Sequence, residues 1–98
     1  MTSNVAPVSM HLVRLPPQLA ALSETSELSL AGETAWEVLQ ALRAEMPLVA
    51  QELLDVNGRP FEFLAVVVNG RRQTREQIRS AELEAGATVM LVLAAAGG

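Results

Sequence analysis

The run Phe61–Val68 ends in LAVVV and passes directly into Asn69-Gly70. β-Branched residues are stiff at χ1 and pack well on a pleated surface, so this run reads as a strand. It is too apolar for a strand with one face in water, and it is therefore expected near the centre of a sheet. Asn-Gly is the strongest short hairpin signal, because both residues tolerate positive φ. The chain should return along Arg71–Gln73. Thr88–Leu93 is a second, nearly all-apolar run and should also lie centrally.

The first half supplies the rest of the sheet and its cover. Met10–Leu15 (MHLVRL) alternates in part and ends at Pro16-Pro17, which cannot donate to a ladder. After a turn at Gln18–Leu22, a partner strand lies within Ser23–Leu30, where ELSL alternates. Thr34 followed three residues later by Glu37 is a capping box. Ala35, Val38, Leu39, Leu42 and Met46 then recur at helical spacing, until Pro47 ends a helix at Glu45. A short helix can follow over Leu48–Leu54, and Thr74–Ala85 reads as irregular or as one helical turn. The order is an early hairpin, a helix able to cross over, then strands that suit a central position. This is an α+β sheet with one main helix on one face.

Composition removes several functions. The chain has no cysteine, one histidine (His11) and no lysine among its 98 residues. Disulfides, thiolate metal sites and a cysteine nucleophile are excluded, and a His-based triad would need a second chain. The chain is therefore not expected to be an enzyme, nor to bind a metal or cofactor itself. A net charge of −4 argues against nucleic acid, and Arg71, Arg72, Arg75 and Arg79 read as a solvated face. Met1–Val8 lacks a basic signal-peptide start, and the longest apolar run, Val89–Ala96, is far too short for a membrane span. The expectation is a cytoplasmic protein, monomeric when free, with residues 1–8 as an arm, 9–93 as the domain and 94–98 as a tail.

The sequence closes with Gly97-Gly98. At an average glycine usage of about 7%, two glycines at a given pair of positions arise by chance in about one chain in two hundred. Neither a strand nor a helix cap needs the pair. A terminus without Cβ atoms is thin and unhindered. It can enter a narrow channel, and its carbonyl is open to attack from either face. That suits adenylation of the carboxylate followed by acyl transfer. Extended, Ala94–Gly98 would reach about 17 Å.

Strand, hairpin, capped helix, VVVNG, the Leu83-Glu84-Ala85-Gly86 element and an apolar strand leading to Gly97-Gly98 together resemble the MoaD/ThiS family of ubiquitin-like sulfur carriers. The apolar layout is also similar to that of CysO-type carriers. The resemblance covers about Ser9 to Gly98 and implies a β-grasp fold. It implies that a partner adenylating enzyme of the ubiquitin-activating type uses ATP to activate the carboxylate of Gly98. A sulfur donor then makes a thiocarboxylate, and a synthase accepts the sulfur. Gly97 and Ala96 would line the partner's channel. Conjugation to other proteins through the same end is the alternative. Two positions depart from the family pattern: the segment before the glycines is Ala94-Ala95-Ala96, without proline, and Ala87 stands where an Asp is frequent.

Alternation assigns the faces. His11, Val13 and Leu15 should point inward, as should Leu64, Val66, Val68, Val89, Leu91 and Leu93. Leu12, Phe63, Val67, Met90 and Val92 should then share the open face of the sheet as an apolar surface for the partner. A slip of one residue would reverse every assignment.

Overall fold

The computed structural model describes residues 9–94. Five strands form one mixed sheet: β1 (Met10–Arg14), β2 (Glu27–Ala31), β3 (Leu64–Val68), β4 (Arg71–Arg72) and β5 (Thr88–Leu93), in the order β2-β1-β5-β3-β4. β1 pairs antiparallel with β2 and parallel with β5, and β5 pairs antiparallel with β3. Among the described residues four α-helices accompany the sheet, α1 (Ala20–Ser23), α2 (Ala35–Glu45), α3 (Pro47–Ala50) and α4 (Arg75–Ser80), with a 3-10 turn at Pro17–Leu19 ahead of α1.

The expected elements form, with shifted ends. β3 starts at Leu64 because Leu64 N–H closes a turn on the Phe61 carbonyl at 3.0 Å. The short helix after Pro47 stops at Ala50 and continues as turns. Thr34 caps α2 by accepting from Glu37 N–H at 3.2 Å, but the Glu37 carboxylate takes the Glu33 N–H rather than that of Thr34. The complete capping box is at α4: Thr74 accepts from Gln77 N–H, and Gln77 accepts from Thr74 N–H. The signal Thr-x-x-Gln stands plainly at Thr74–Gln77.

The hairpin turn at Asn69-Gly70 has positive φ at both residues, 48° and 84°, as a tight two-residue turn between twisted strands requires. Asn69 is tied to the head of β5. Its amide oxygen accepts from Thr88 N–H at 2.9 Å, and its own N–H donates to the Thr88 carbonyl at 2.9 Å.

The core is aliphatic and lies between the sheet and α2. Val38, Leu39 and Leu42 meet Val13, Val66, Val89 and Leu91, all with essentially no exposure. Along β1, β3 and β5 the buried positions alternate with half-buried or exposed ones, so the register read from the sequence is the register of the sheet. His11 is buried in this core with both ring nitrogens satisfied. Ala87 N–H donates to Nδ1 at 3.1 Å, which leaves the proton on Nε2, and Nε2 donates to the Gly32 carbonyl at 2.7 Å.

The loop after α3 is clamped to α2. The Asp55 carboxylate accepts from Asn57 N–H at 2.8 Å and Arg59 N–H at 3.0 Å. Gln40 donates to the Gly58 carbonyl and Arg43 to that of Val56. Gly58 has φ +81°, and a Cβ there would strike the Gln40 amide.

Two expectations test this architecture. Val67→Glu, on the half-buried side of β3, should change stability by no more than about 0.5–1 kcal/mol, whereas Val66→Glu, one residue earlier, should unfold the domain. Urea titrations of the pair report the register directly. The second concerns Asp55, whose hydrogen bonds, first that from Arg59 N–H, hold its carboxyl below the ordinary 3.8. A group with a lowered folded value stabilises above its unfolded value and loses that contribution as pH falls through the folded one. The Tm difference between wild type and Asp55→Asn should therefore be full near neutral pH and shrink as pH falls through and below 3.8. A difference constant with pH would show that the carboxylate does not hold the loop.

Candidate functional site

The open face of the sheet carries the apolar residues that alternation assigns to it. Leu12 lies beside Ser29 on β2 and Thr88 on β5. Met90 lies between Arg14 and Val67, and Val92 is opposite Ala65. Met90 and Val92 are exposed at 36% and 40%, large values for apolar side chains on interior strands, while Leu12 and Val67 are half-buried. Contiguous apolar exposure of this kind marks contact surfaces more often than it occurs idly.

Phe63 sits differently from its expected place. It lies in the turn before β3, not within the strand, and its ring stacks on Phe61 with centroids 5.1 Å apart. It is still 47% exposed, and its carbonyl accepts from Ala94 N–H at 2.8 Å, which puts it beside the end of the β5 ladder. Met10, 52% exposed, shares the face with Leu12 and Arg14 by alternation along β1. Sequence reasoning omitted it, although its spacing from Leu12 was the available signal.

Arginines frame the patch. Arg14 stands on one side, paired with Glu27 at 3.4 Å with both side chains about half exposed. On the other side Arg72 pairs with Val67 in the β3–β4 register. A partner surface complementary to this face would be apolar at the centre and acidic at its rim.

β5 delivers the chain from this face. Its ladder runs to Leu93, and the Ala94–Phe63 hydrogen bond extends it by one residue. Ala96, Gly97 and Gly98 lie outside the described residues. Ala87, where the related pattern often has Asp, is buried at 1% exposure. Its N–H is shared between His11 Nδ1 and the Glu84 carbonyl, and its carbonyl accepts from Leu12 N–H, so a carboxylate here would meet a closed interior.

Among the described residues no group of three or more His, Asp or Glu side chains is placed to hold a metal ion, and no helix is long and apolar enough to cross a membrane. Trp36 packs at the edge of α2 against the core, with the Arg79 guanidinium 4.9 Å from its ring centroid.

No family model and no curated protein sequence matches the chain. Solved structures do. Small archaeal modifier protein 1 (SAMP1) from Methanosarcina acetivorans is 19% identical, with 95% of this chain and 100% of that one covered at a TM-score of 0.80. CysO of Mycobacterium tuberculosis is 20% identical, with 87% and 99% covered and a TM-score of 0.73. A chain of the Amycolatopsis orientalis BexX/CysO complex is 22% identical, with 90% and 99% covered and a TM-score of 0.74. Near-complete coverage in both directions shows that this chain has the ubiquitin-like β-grasp fold, which matches, at the level of fold, the resemblance to ubiquitin-like sulfur carriers read from its sequence.

Proposed function

We propose that this chain is a sulfur carrier whose reactive group is the carboxylate of Gly98. A partner enzyme binds ATP, and the carboxylate attacks the α-phosphate, forming an acyl-adenylate and releasing pyrophosphate. A sulfide equivalent from a donor protein then attacks the carbonyl and displaces AMP. The product is a thiocarboxylate, which passes its sulfur to an acceptor bound by a synthase. The adenylate is a good leaving group, so each step replaces a difficult substitution by an easier one. This chain supplies the acyl group and the docking surface, and ATP belongs to the partner.

One observation carries the reading. In a β-grasp fold the interior strand β5 leads the chain off the sheet at Ala94, beside the exposed apolar residues Val92 and Phe63, and the sequence that follows is Ala95-Ala96-Gly97-Gly98. An enzyme docked on the open face would lie beside Ala94, four residues before Gly98 in the sequence. The absence of cysteine suits a carrier whose sulfur rides on a carboxyl carbon.

The similar structure named as a modifier protein supports a second reading. The same adenylate would be attacked by an amine of another protein, and this chain would become joined to it through Gly98. Activation is shared and only the nucleophile differs. Mass spectrometry separates the two: one terminal oxygen replaced by sulfur marks the carrier, and a Gly-Gly remnant on a target lysine marks the modifier.

Deletion of Gly98, or Gly98→Val, should abolish acyl-adenylate formation when the protein is mixed with its adenylating enzyme and ATP, with Tm unchanged. Val67→Glu should leave the domain folded and weaken the complex. Activation of the truncated chain, or loss of folding on truncation, would overturn the reading.

A further inference from the structure

Beside α2 and α4 lies a second, concave surface, which meets the open sheet face at Arg72 and at the Phe61–Phe63 stack and whose cleft the carrier reading does not use. A cleft of 560 Å³ runs between the start of α2, the loop that ends at Glu62, and α4. Trp36, Pro60, Phe61 and Ile78 supply its apolar surface, and Arg59 and Arg79 stand along it. A neighbouring cleft shares Pro60, Phe61, Arg75 and Ile78 and continues towards Arg72 at the sheet edge.

Charge is concentrated here. The chain has seven arginines and a net charge of −4, yet Arg59, Arg72, Arg75 and Arg79 all line these two clefts. The two carboxylates present are engaged: Asp55 with backbone N–H groups of its own loop, and Glu62 with Arg75 at 3.0 Å. Arg59, Arg72 and Arg79 form no ion pair among the described residues. Arg79 is held over Trp36, which leaves its guanidinium donors free for a planar acceptor.

The walls are preformed. The Asp55 hydrogen bonds, the Leu54–Pro60 bridge and a 3.0 Å bond from Phe61 N–H to the Leu53 carbonyl hold one side. The capping box of α4 and the burial of Ile78 hold the other. A ligand therefore binds without first ordering the site, which keeps the cost of association low.

We propose that this cleft docks an acidic peptide segment of a partner protein, with an apolar side chain against Trp36 and Phe61 and flanking carboxylates on the arginines. Arginine forks match carboxylates bidentately, and an apolar anchor in a desolvated pocket is the usual centre of such contacts. A nucleic acid strand fits less well. Its charge extends beyond the cleft and meets a chain that is negative elsewhere. This site is independent of the carrier reading, and its failure would leave that reading intact.

Trp36 is the only tryptophan, so its fluorescence reports occupancy directly. The probe is a set of nine-residue peptides with a Leu-Phe pair flanked by zero, two or four Glu, titrated into the full chain, with Lys-for-Glu versions as controls. Saturable change should appear with the Glu peptides, tighten as Glu is added, weaken in high salt and vanish in the Lys versions. Arg75→Glu with Arg79→Glu should weaken binding by about tenfold or more, while Arg71→Glu, outside the cleft, stays within about twofold. If the double variant loses its circular dichroism spectrum, Arg79→Gln alone replaces it and should still weaken binding. Equal binding of acidic and basic peptides, no saturable binding, or unchanged affinity in the arginine variants would overturn the proposal. So would displacement of the peptide by inorganic triphosphate or by a single-stranded oligonucleotide as effectively as by unlabelled peptide.

Discussion

The insertion of β5 between β1 and β3 is the interaction on which everything else depends. The β1–β2 and β3–β4 hairpins share no ladder with each other, and β5 hydrogen-bonds to both. The pairing joins distant parts of the chain. His11 and Ala87, which meet at the head of β5, are 76 residues apart. Closing such a loop costs entropy that only later contacts return, and the buried, fully satisfied His11 ring is one of those contacts. Asn69 anchors the same point from the other hairpin. Three segments thus converge where the last strand begins, and the far end of that strand carries the proposed reactive tail.

Scarce aromatic residues shape the faces. With aliphatic side chains filling the space between sheet and α2, the two phenylalanines and the tryptophan lie outside the fully buried set. Phe61 and Phe63 stack on each other, and Trp36 lies under Arg79. Large apolar groups placed at a surface are costly to leave in water, and each here borders a concave or apolar region suited to a partner. The chain therefore offers two surfaces of different character. The open sheet face is apolar with an arginine rim, next to the point where the chain leaves β5. The cleft by α4 is arginine-rich with an apolar centre, and it adjoins the open face at Arg72 and at the Phe61–Phe63 stack.

Most of the fold was legible in the chain, because its strands and helix carry strong local signals. Val-Val-Val-Asn-Gly needs a strand and a tight turn, Thr34 needs a helix to cap, and the alternation in Met10–Leu15 and Thr88–Leu93 assigns faces that the sheet reproduces. The apolar open face follows from that alternation alone. Where reading fell short, the deciding forces were tertiary. Phe63 is drawn into a turn by the Leu64–Phe61 hydrogen bond and the stack with Phe61. The helix at Arg75–Ser80 had its signal in Thr74 and Gln77, but six residues are too few for periodicity to show, and its stability comes from Ile78 in the core.

What the sequence alone determined is local: which segments pair or coil, which side of each strand is apolar, the aliphatic core, the lack of cysteine, and the Gly97-Gly98 motif. Strand order was decided only in three dimensions, since nothing local to Thr88–Leu93 states that it will lie parallel to β1. The partners of His11 were decided there too. The arginines tell the same story. Arg71, Arg72, Arg75 and Arg79 look like one solvated cluster along the chain, and folding lines the two clefts with all of them but Arg71. It brings in Arg59 from another loop and sets Trp36 beneath Arg79. Spacing along a chain reports neighbours on one element. Which elements meet is set by the burial of shared apolar surface, and that surface exists only once the chain has closed on itself.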